Sequence, residues 1–248
     1  MSEADRPASA VASEGGYVAE DRRPIRSRDA GLSKRIADRL VGWGCRANAI
    51  SLLGMGFAVS AGGLLWVTSL TDRGAVGGAV WRMAWLGAAG LIQMRLLCNM
   101  FDGMVAIRSG RASALGELYN EVPDRFSDAA VLLGLGYAWG SSPAAGWAAT
   151  AVALTVAYIR AVGKSAGVPQ VFHGPMAKPQ RMFAVTVAAL WMGLTPLGWG
   201  AWGSERWTVS VPTLTLWVVI LGGLWTFVRR LRVIAGRLKV DPAGRGDV

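Results

Sequence analysis

The stretch NMFDGMVAIRSGRASALGELYNEVPDRFSD, Asn99 to Asp128, decides how this chain is read. Oxygen-bearing side chains recur in it at helical spacing: Asn99 and Asp102 are three apart, and Asn120, Asp124 and Asp128 are each four apart. Those separations put side chains on one face of a helix. A Gly-, Ser- and Arg-containing corner over 108–113 joins the two runs, so two helices meeting there are expected to aim their polar faces at each other. Glu117, Glu121, Asp124 and Asp128 form a single acidic stripe, and like charges on one face repel unless a cation or proton intervenes. A divalent metal is the economical resolution; structural ion pairs, Asp124 with Arg125 or Asp128 with Arg160, are the alternative. Carboxylates and amide carbonyls are hard donors that suit Mg²⁺, Mn²⁺ or Ca²⁺ rather than zinc.

Outside this stretch the composition is that of a membrane protein: 52% hydrophobic, 17% charged, with positive mean hydropathy. Cys45 and Cys98 match no metal or redox spacing, so both are expected to be packing residues. The net charge of +10 gathers beside the apolar spans, which fits anchoring at an anionic membrane face and argues against nucleic acid as a partner. Residues 1–29 are polar, without the apolar run of a signal peptide, and are expected to be a disordered tail. Over 30–45, Leu32, Ile36, Leu40 and Trp43 alternate with Lys34, Arg35, Asp38 and Arg39, the pattern of an amphipathic helix lying in the headgroup layer.

The expected fold class is all-α and polytopic, with six transmembrane helices after that interfacial helix. The spans are Ala47–Leu70, Val80–Ile107, Ser113–Trp139, Ala144–Ala161, Met182–Leu197 and Val211–Val228. They make a catalytic domain over 46–230, and 231–248 is a basic tail on the cytoplasmic side. With the N-terminus inside, Arg108, Arg111, Lys164, Lys178 and Arg181 also lie inside, while only Arg73, Arg82 and Arg206 lie outside. The acidic cluster then opens to the cytoplasm from the inner membrane. Gly54, Gly56, Gly62, Gly63, Gly87, Gly90, Gly134 and Gly136 are expected to let helices pack closely. Trp66, Trp81, Trp85, Trp139, Trp199, Trp202 and Trp207 are expected to be interfacial anchors. His173, among Pro169, Pro175 and Pro179, is read as a loop residue.

The spacing in the opening stretch resembles the signature of the CDP-alcohol phosphotransferases, Asp-x2-Asp-Gly-x2-Ala-Arg-x8-Gly-x3-Asp-x3-Asp. Laid on this chain without a gap it falls on Asn99, Asp102, Gly103, Ala106, Ile107, Gly116, Asn120 and Asp124. Asn99 and Asn120 stand where the family has Asp, and Ile107 stands where it has Arg. The resemblance implies transfer of a phosphatidyl group from CDP-diacylglycerol, or a similar CDP-alcohol, to a small alcohol acceptor with release of CMP, using Mg²⁺ or Mn²⁺. It implies metal association for Asp102 and Asp124, neutral oxygen ligands in Asn99 and Asn120, and a general base in Asp124. Glu121 and Asp128 are candidates to restore the lost charge, as is Glu117. Gly103, Ala106 and Gly116 would let the nucleotide approach, with Arg95, Arg108 or Arg111 replacing the missing arginine. The family recognises its acceptor near spans four and five, where Arg160, Lys164, Lys178 and Arg181 would bind an acceptor phosphate; for Lys164 and Lys178 ordinary membrane anchoring is an equal reading. A homodimer embedded among membrane lipids is carried over by resemblance alone. A small transporter with intramembrane acids, or a catalytically degenerate family member, stays open as an alternative.

Overall fold

The computed structural model describes residues 31–110, 114–169, 171, 174–204 and 207–240. Seven α-helices carry the described chain: α1 Gly31–Gly42, α2 Ala47–Leu70, α3 Ala75–Arg108, α4 Ala114–Gly136, α5 Pro143–Ser165, α6 Lys178–Leu194 and α7 Val211–Val240. Local sequence explains their limits. α2 is charge-free and rich in Ala, Gly and Leu. α5 starts where Ser142 Oγ accepts from the Ala145 N–H at 3.3 Å and Pro143 stands at the first turn, where its missing N–H costs nothing. α3 ends at Gly110, whose φ of 64° turns the chain in a way a side chain would resist. A two-stranded antiparallel ribbon, β1 Ala201–Ser204 with β2 Trp207–Ser210, links α6 to α7. The all-α expectation did not include it.

Among the described residues four helices are long and apolar enough to cross a membrane: α2, 77–108 of α3, α5, and 211–239 of α7. α4 carries several charged side chains in its first half, and α6 is 17 residues long. The chain is therefore a largely helical, integral membrane protein; each expected span overlaps a helix, the third and fifth running on past the ends of α4 and α6. α7 runs beyond its expected span, so 231–240 of the basic tail continue the helix. Residues 1–30, including the polar tail, lie outside the described residues, as do Arg111, His173, Arg206 and 241–248.

α2 is the hub. It packs on both α3 and α4, which touch each other at few positions; α3 also packs on α6, and α5 on α4 and α7. α3 and α4 therefore meet directly at few places, Arg95 with Asp124 among them, and α2 wedges between them elsewhere. Small residues make it possible, since a Cβ on Gly62 would collide with the Ala130 carbonyl oxygen and one on Gly134 would sit 2.5 Å from the Gly62 Cα. Gly56, Gly63 and Gly90 have nothing within 4 Å of an added Cβ, so they do not serve close packing. The core joins Leu65, Ile92, Leu132, Leu135, Met182 and Leu216 with Trp81 and Trp85, which are fully buried. Trp81 packs edge-on against Trp85 and Trp139, and Arg73 caps the Trp139 ring at 4.1 Å. These three tryptophans belong to a packed end of the bundle and not to an anchoring belt, while Trp66, Trp199 and Trp202 are exposed.

α1 lies across the end of α3. Its contact is Ala37, buried against Met100 and Met104, and Arg108 fastens it by pairing with Asp38 at 2.9 Å and donating to the Lys34 carbonyl. Leu32 and Trp43 stay exposed.

Candidate active site

A polar cluster is built where side chains of α3, α4 and the first turn of α6 meet. Asn99 and Asp102 lie one turn apart on α3, and Arg95 precedes Asn99 by a further turn. α4 supplies Asn120 and Asp124, again one turn apart, with Pro123 between them. Pro123 has no N–H, so the Tyr119 carbonyl loses its usual helical donor next to the site. Lys178, the first residue of α6, closes the pocket.

Lys178 is the junction. Its ammonium donates to Asn99 Oδ1 at 2.9 Å and pairs with Asp124 Oδ2. The other Asp124 oxygen accepts from Arg95 Nη2 at 2.5 Å. Asp102 is 3% exposed and accepts from the Ser51 hydroxyl of α2 at 2.8 Å and from the Gly103 N–H at 2.5 Å. It lies within electrostatic reach of both Asp124 and Lys178. Among the described residues Asp102 pairs with no Arg or Lys. Burying a carboxylate with only neutral donors is expensive, and a bound cation or a proton would relieve it.

The rest of the acidic stripe is neutralised by side chains. Glu121 accepts through both carboxylate oxygens from Arg160 Nη2 at 2.8 Å and pairs with Arg125 at 3.0 Å. Asp128 pairs with Arg181 Nη2 at 2.6 Å, both nearly fully buried, and Arg181 also donates to the Met176 carbonyl at 3.1 Å. The expectation that repulsion along the stripe requires metal is therefore too strong, because arginines from α4, α5 and α6 do that work at Glu121 and Asp128.

The structure brings Asn99, Asp102, Asp124 and Lys178 together and places Asn120 one turn from Asp124. Gly103 is buried beside Asp102, and Ala106 and Gly116 are half-buried on α3 and α4. Arg108 is engaged with α1, and Lys164 is exposed near the end of α5. The four expected acceptor residues do not form one cluster: Arg160 faces Glu121, Arg181 faces Asp128, and Lys178 faces Asp124. Arg111 and the Glu117 side chain lie outside the described residues. Sequence reading missed Ser51, for which no local signal exists. Arg95 was weighed only as a stand-in arginine, although its spacing to Asn99 and Asp102 places it on their face.

No three His, Cys, Asp or Glu side chains gather into a ready metal nest among the described residues. A divalent cation nonetheless fits. The pocket's acceptors are all hard oxygens, Asp102 has no cationic partner, and Asn120 Oδ1 is buried without a hydrogen-bond donor.

No protein-family model matches the chain. It is 29% identical over 174 residues to the phosphatidylinositol phosphate synthase of Streptomyces avermitilis, covering 66% of this chain and 69% of that protein. It is 26% identical to the phosphatidylinositol phosphate synthase of Cutibacterium acnes, covering 60% of this chain and 82% of that protein. The fold is similar to that of the Mycobacterium tuberculosis phosphatidylinositol phosphate synthase PgsA1. The structure of that enzyme with manganese and citrate gives a TM-score of 0.63 at 20% identity, over 82% of this chain and 88% of that one. Its structure with CDP-DAG bound gives 0.63 at 19% identity, over 83% and 94%.

Proposed function

We infer that this chain belongs to the CDP-alcohol phosphotransferase family and transfers a phosphatidyl group from CDP-diacylglycerol to an alcohol that carries its own phosphate, releasing CMP. The observation that carries this reading is that Lys178 joins Asn99 of α3 to Asp124 of α4, with the buried Asp102 one turn beyond Asn99 on α3. The relatives' names supply the substrate class, a phosphorylated inositol being the acceptor to test first.

In the proposed reaction the acceptor hydroxyl attacks the β-phosphorus of the CDP-lipid. A new P–O bond forms, the diphosphate P–O bond breaks, CMP departs, and the hydroxyl proton passes to Asp124 as general base. Asp102 and the amide oxygen of Asn120 would hold Mg²⁺ or Mn²⁺, with Asn99 joining them only through the lone pair that its bond to Lys178 leaves over. Such an ion supplies charge neutralisation to the diphosphate and to the oxygens that share charge in the transition state. Lys178 and Arg95 add positive charge beside it. Arg95 is 2% exposed and keeps Nε and Nη1 without partners among the described residues, so it offers the donors that Ile107 lacks. Gly103, Ala106 and Gly116 leave room for the nucleotide, and Lys164, exposed near the end of α5, is a further basic group for an acceptor phosphate, since Arg160 and Arg181 are engaged by Glu121 and Asp128.

The same reading takes α2 to α7 as six membrane-spanning helices, α4 and α6 crossing by virtue of a protein-lined polar cavity. α1 lies in the headgroup layer with Leu32 and Trp43 turned to lipid, the pocket opens to the cytoplasm, and the chain works as a homodimer. The excess of basic residues on one side of the spans supports the orientation.

Purified protein supplied with CDP-diacylglycerol, Mn²⁺ and a panel of alcohols is expected to release CMP fastest with a phosphorylated inositol. Asp102→Ala and Asp124→Ala are expected to lower the rate by about 100-fold or more, the scale of losing a principal electrostatic group. Rates equal to those variants for every acceptor would refute the reading. The engagement of Asp124 by two cations favours a second one, a member that binds the CDP-lipid without turning it over. It would retain the lipid and release no CMP.

A further inference from the structure

Lys178 occupies a position that a cation bridging α3 and α4 would otherwise fill. Its Nζ contacts an oxygen of Asn99 on α3 and an oxygen of Asp124 on α4, and Arg95 takes the remaining Asp124 oxygen. Asp124 therefore has no oxygen uncommitted to a side-chain cation. Asp102, by contrast, has only neutral donors among the described residues. The two sides of the pocket thus differ: one carries its positive charge on a covalently attached ammonium, and the other lacks it.

We propose that Lys178 stands permanently in the seat of a second divalent cation, so that this chain binds one Mg²⁺ or Mn²⁺, on the Asp102 side, and uses the tethered ammonium for the rest. The substitutions in the motif agree in their chemistry. An amide oxygen at Asn99 accepts from an ammonium and contributes no negative charge, which leaves two carboxylates, Asp102 and Asp124, to be balanced. Arg95 and Lys178 already match those two carboxylates in number. One added divalent ion would give the pocket the surplus positive charge that a diphosphate needs. A second would have to displace the ammonium from Asp124 while leaving it buried beside a dication. Lys178 lies at the start of α6, held there by Pro179 and the first helical turn, so its ammonium is delivered from a rigid element.

This inference rests on the metal-dependent reading above but is tested apart from turnover. Mn²⁺ bound to the full-length chain in lipid nanodiscs would be counted by equilibrium dialysis, with electron paramagnetic resonance reporting whether bound ions are spin-coupled. The wild type is expected to hold one Mn²⁺ per chain with no coupling. The combined variant Asn99→Asp, Asn120→Asp and Lys178→Met is expected to hold two, with the coupling of neighbouring ions. Two ions, or none, on the wild type would overturn the proposal, whatever the variant does. So would a single ion on a variant whose thermal unfolding shows it to be folded. If the wild type binds one ion yet releases no CMP, the catalytic reading fails and the metal count stands. If it releases CMP while holding two, the metal count fails and the catalytic reading stands.

Discussion

A buried carboxylate is defined by what donates to it, and Asp102 and Asp124 differ in that respect. Asp124 is clasped by Arg95 and Lys178, whereas Asp102 relies on the Ser51 hydroxyl and its neighbour's N–H. On the proposed reading, Ser51 is therefore a positioning residue for the Asp102 oxygen that would meet the metal. Ser51→Ala should weaken Mn²⁺ binding by roughly 10–100-fold, the scale seen when a metal ligand loses its supporting hydrogen bond. Because a KM for the acceptor depends on other groups, that KM should stay unchanged; a dialysis titration beside a kinetic one checks both. At this scale the sequence was partly legible. Spacing alone brought out Asn99, Asp102, Asn120 and Asp124, because helical periodicity is local. Lys178 carries no such mark, since its place beside Asp124 depends on where α6 enters the bundle. The repulsion argument for Glu121 and Asp128 misled for the same reason: their arginines, Arg160 and Arg181, arrive from distant segments.

Between elements, the site exists because α2 wedges α3 and α4 at a fixed spacing. Gly62 and Gly63 are neighbours in sequence with opposite surroundings, one against the Ala130 backbone and one with nothing within reach. Gly62→Ala should destabilise the fold by about 1–3 kcal/mol through overpacking. Gly63→Ala should be neutral or stabilising by up to about 1 kcal/mol through helix propensity. Thermal unfolding of the two variants in the same detergent measures the difference. The helices themselves were readable from apolar runs, and α2 matches its expected bounds. Which glycines meet a neighbour was not readable, since every small residue in a lipid-facing segment looks alike until helix rotation is known. Trp81 and Trp85 were misread in the same way: a tryptophan near a span end has the same sequence signature whether it meets headgroups or, as here, the other side of the bundle. The ribbon of β1 and β2 escaped notice because its strands are four residues each.

Over the whole molecule, charge sets orientation. The turn after α3 and the turn between α2 and α3 should lie on opposite sides of the membrane, with the α3–α4 corner in the cytoplasm. With Cys45 and Cys98 replaced by Ser and Ala, Asp72→Cys should react with an impermeant maleimide in intact cells. Ser109→Cys should react only after the membrane is opened. The reverse pattern would place the pocket on the outer face, away from nucleotide-activated lipids.

The central claim is that one cation, held by Asp102 and its neighbours, meets the diphosphate of a CDP-lipid. Phosphorus NMR of CDP-diacylglycerol with sub-stoichiometric Mn²⁺ and the protein in nanodiscs tests it directly, because a paramagnetic ion relaxes only nuclei within a short distance. Both diphosphate resonances should relax faster with the wild type than with Asp102→Ala. Equal relaxation with the two proteins would contradict the account.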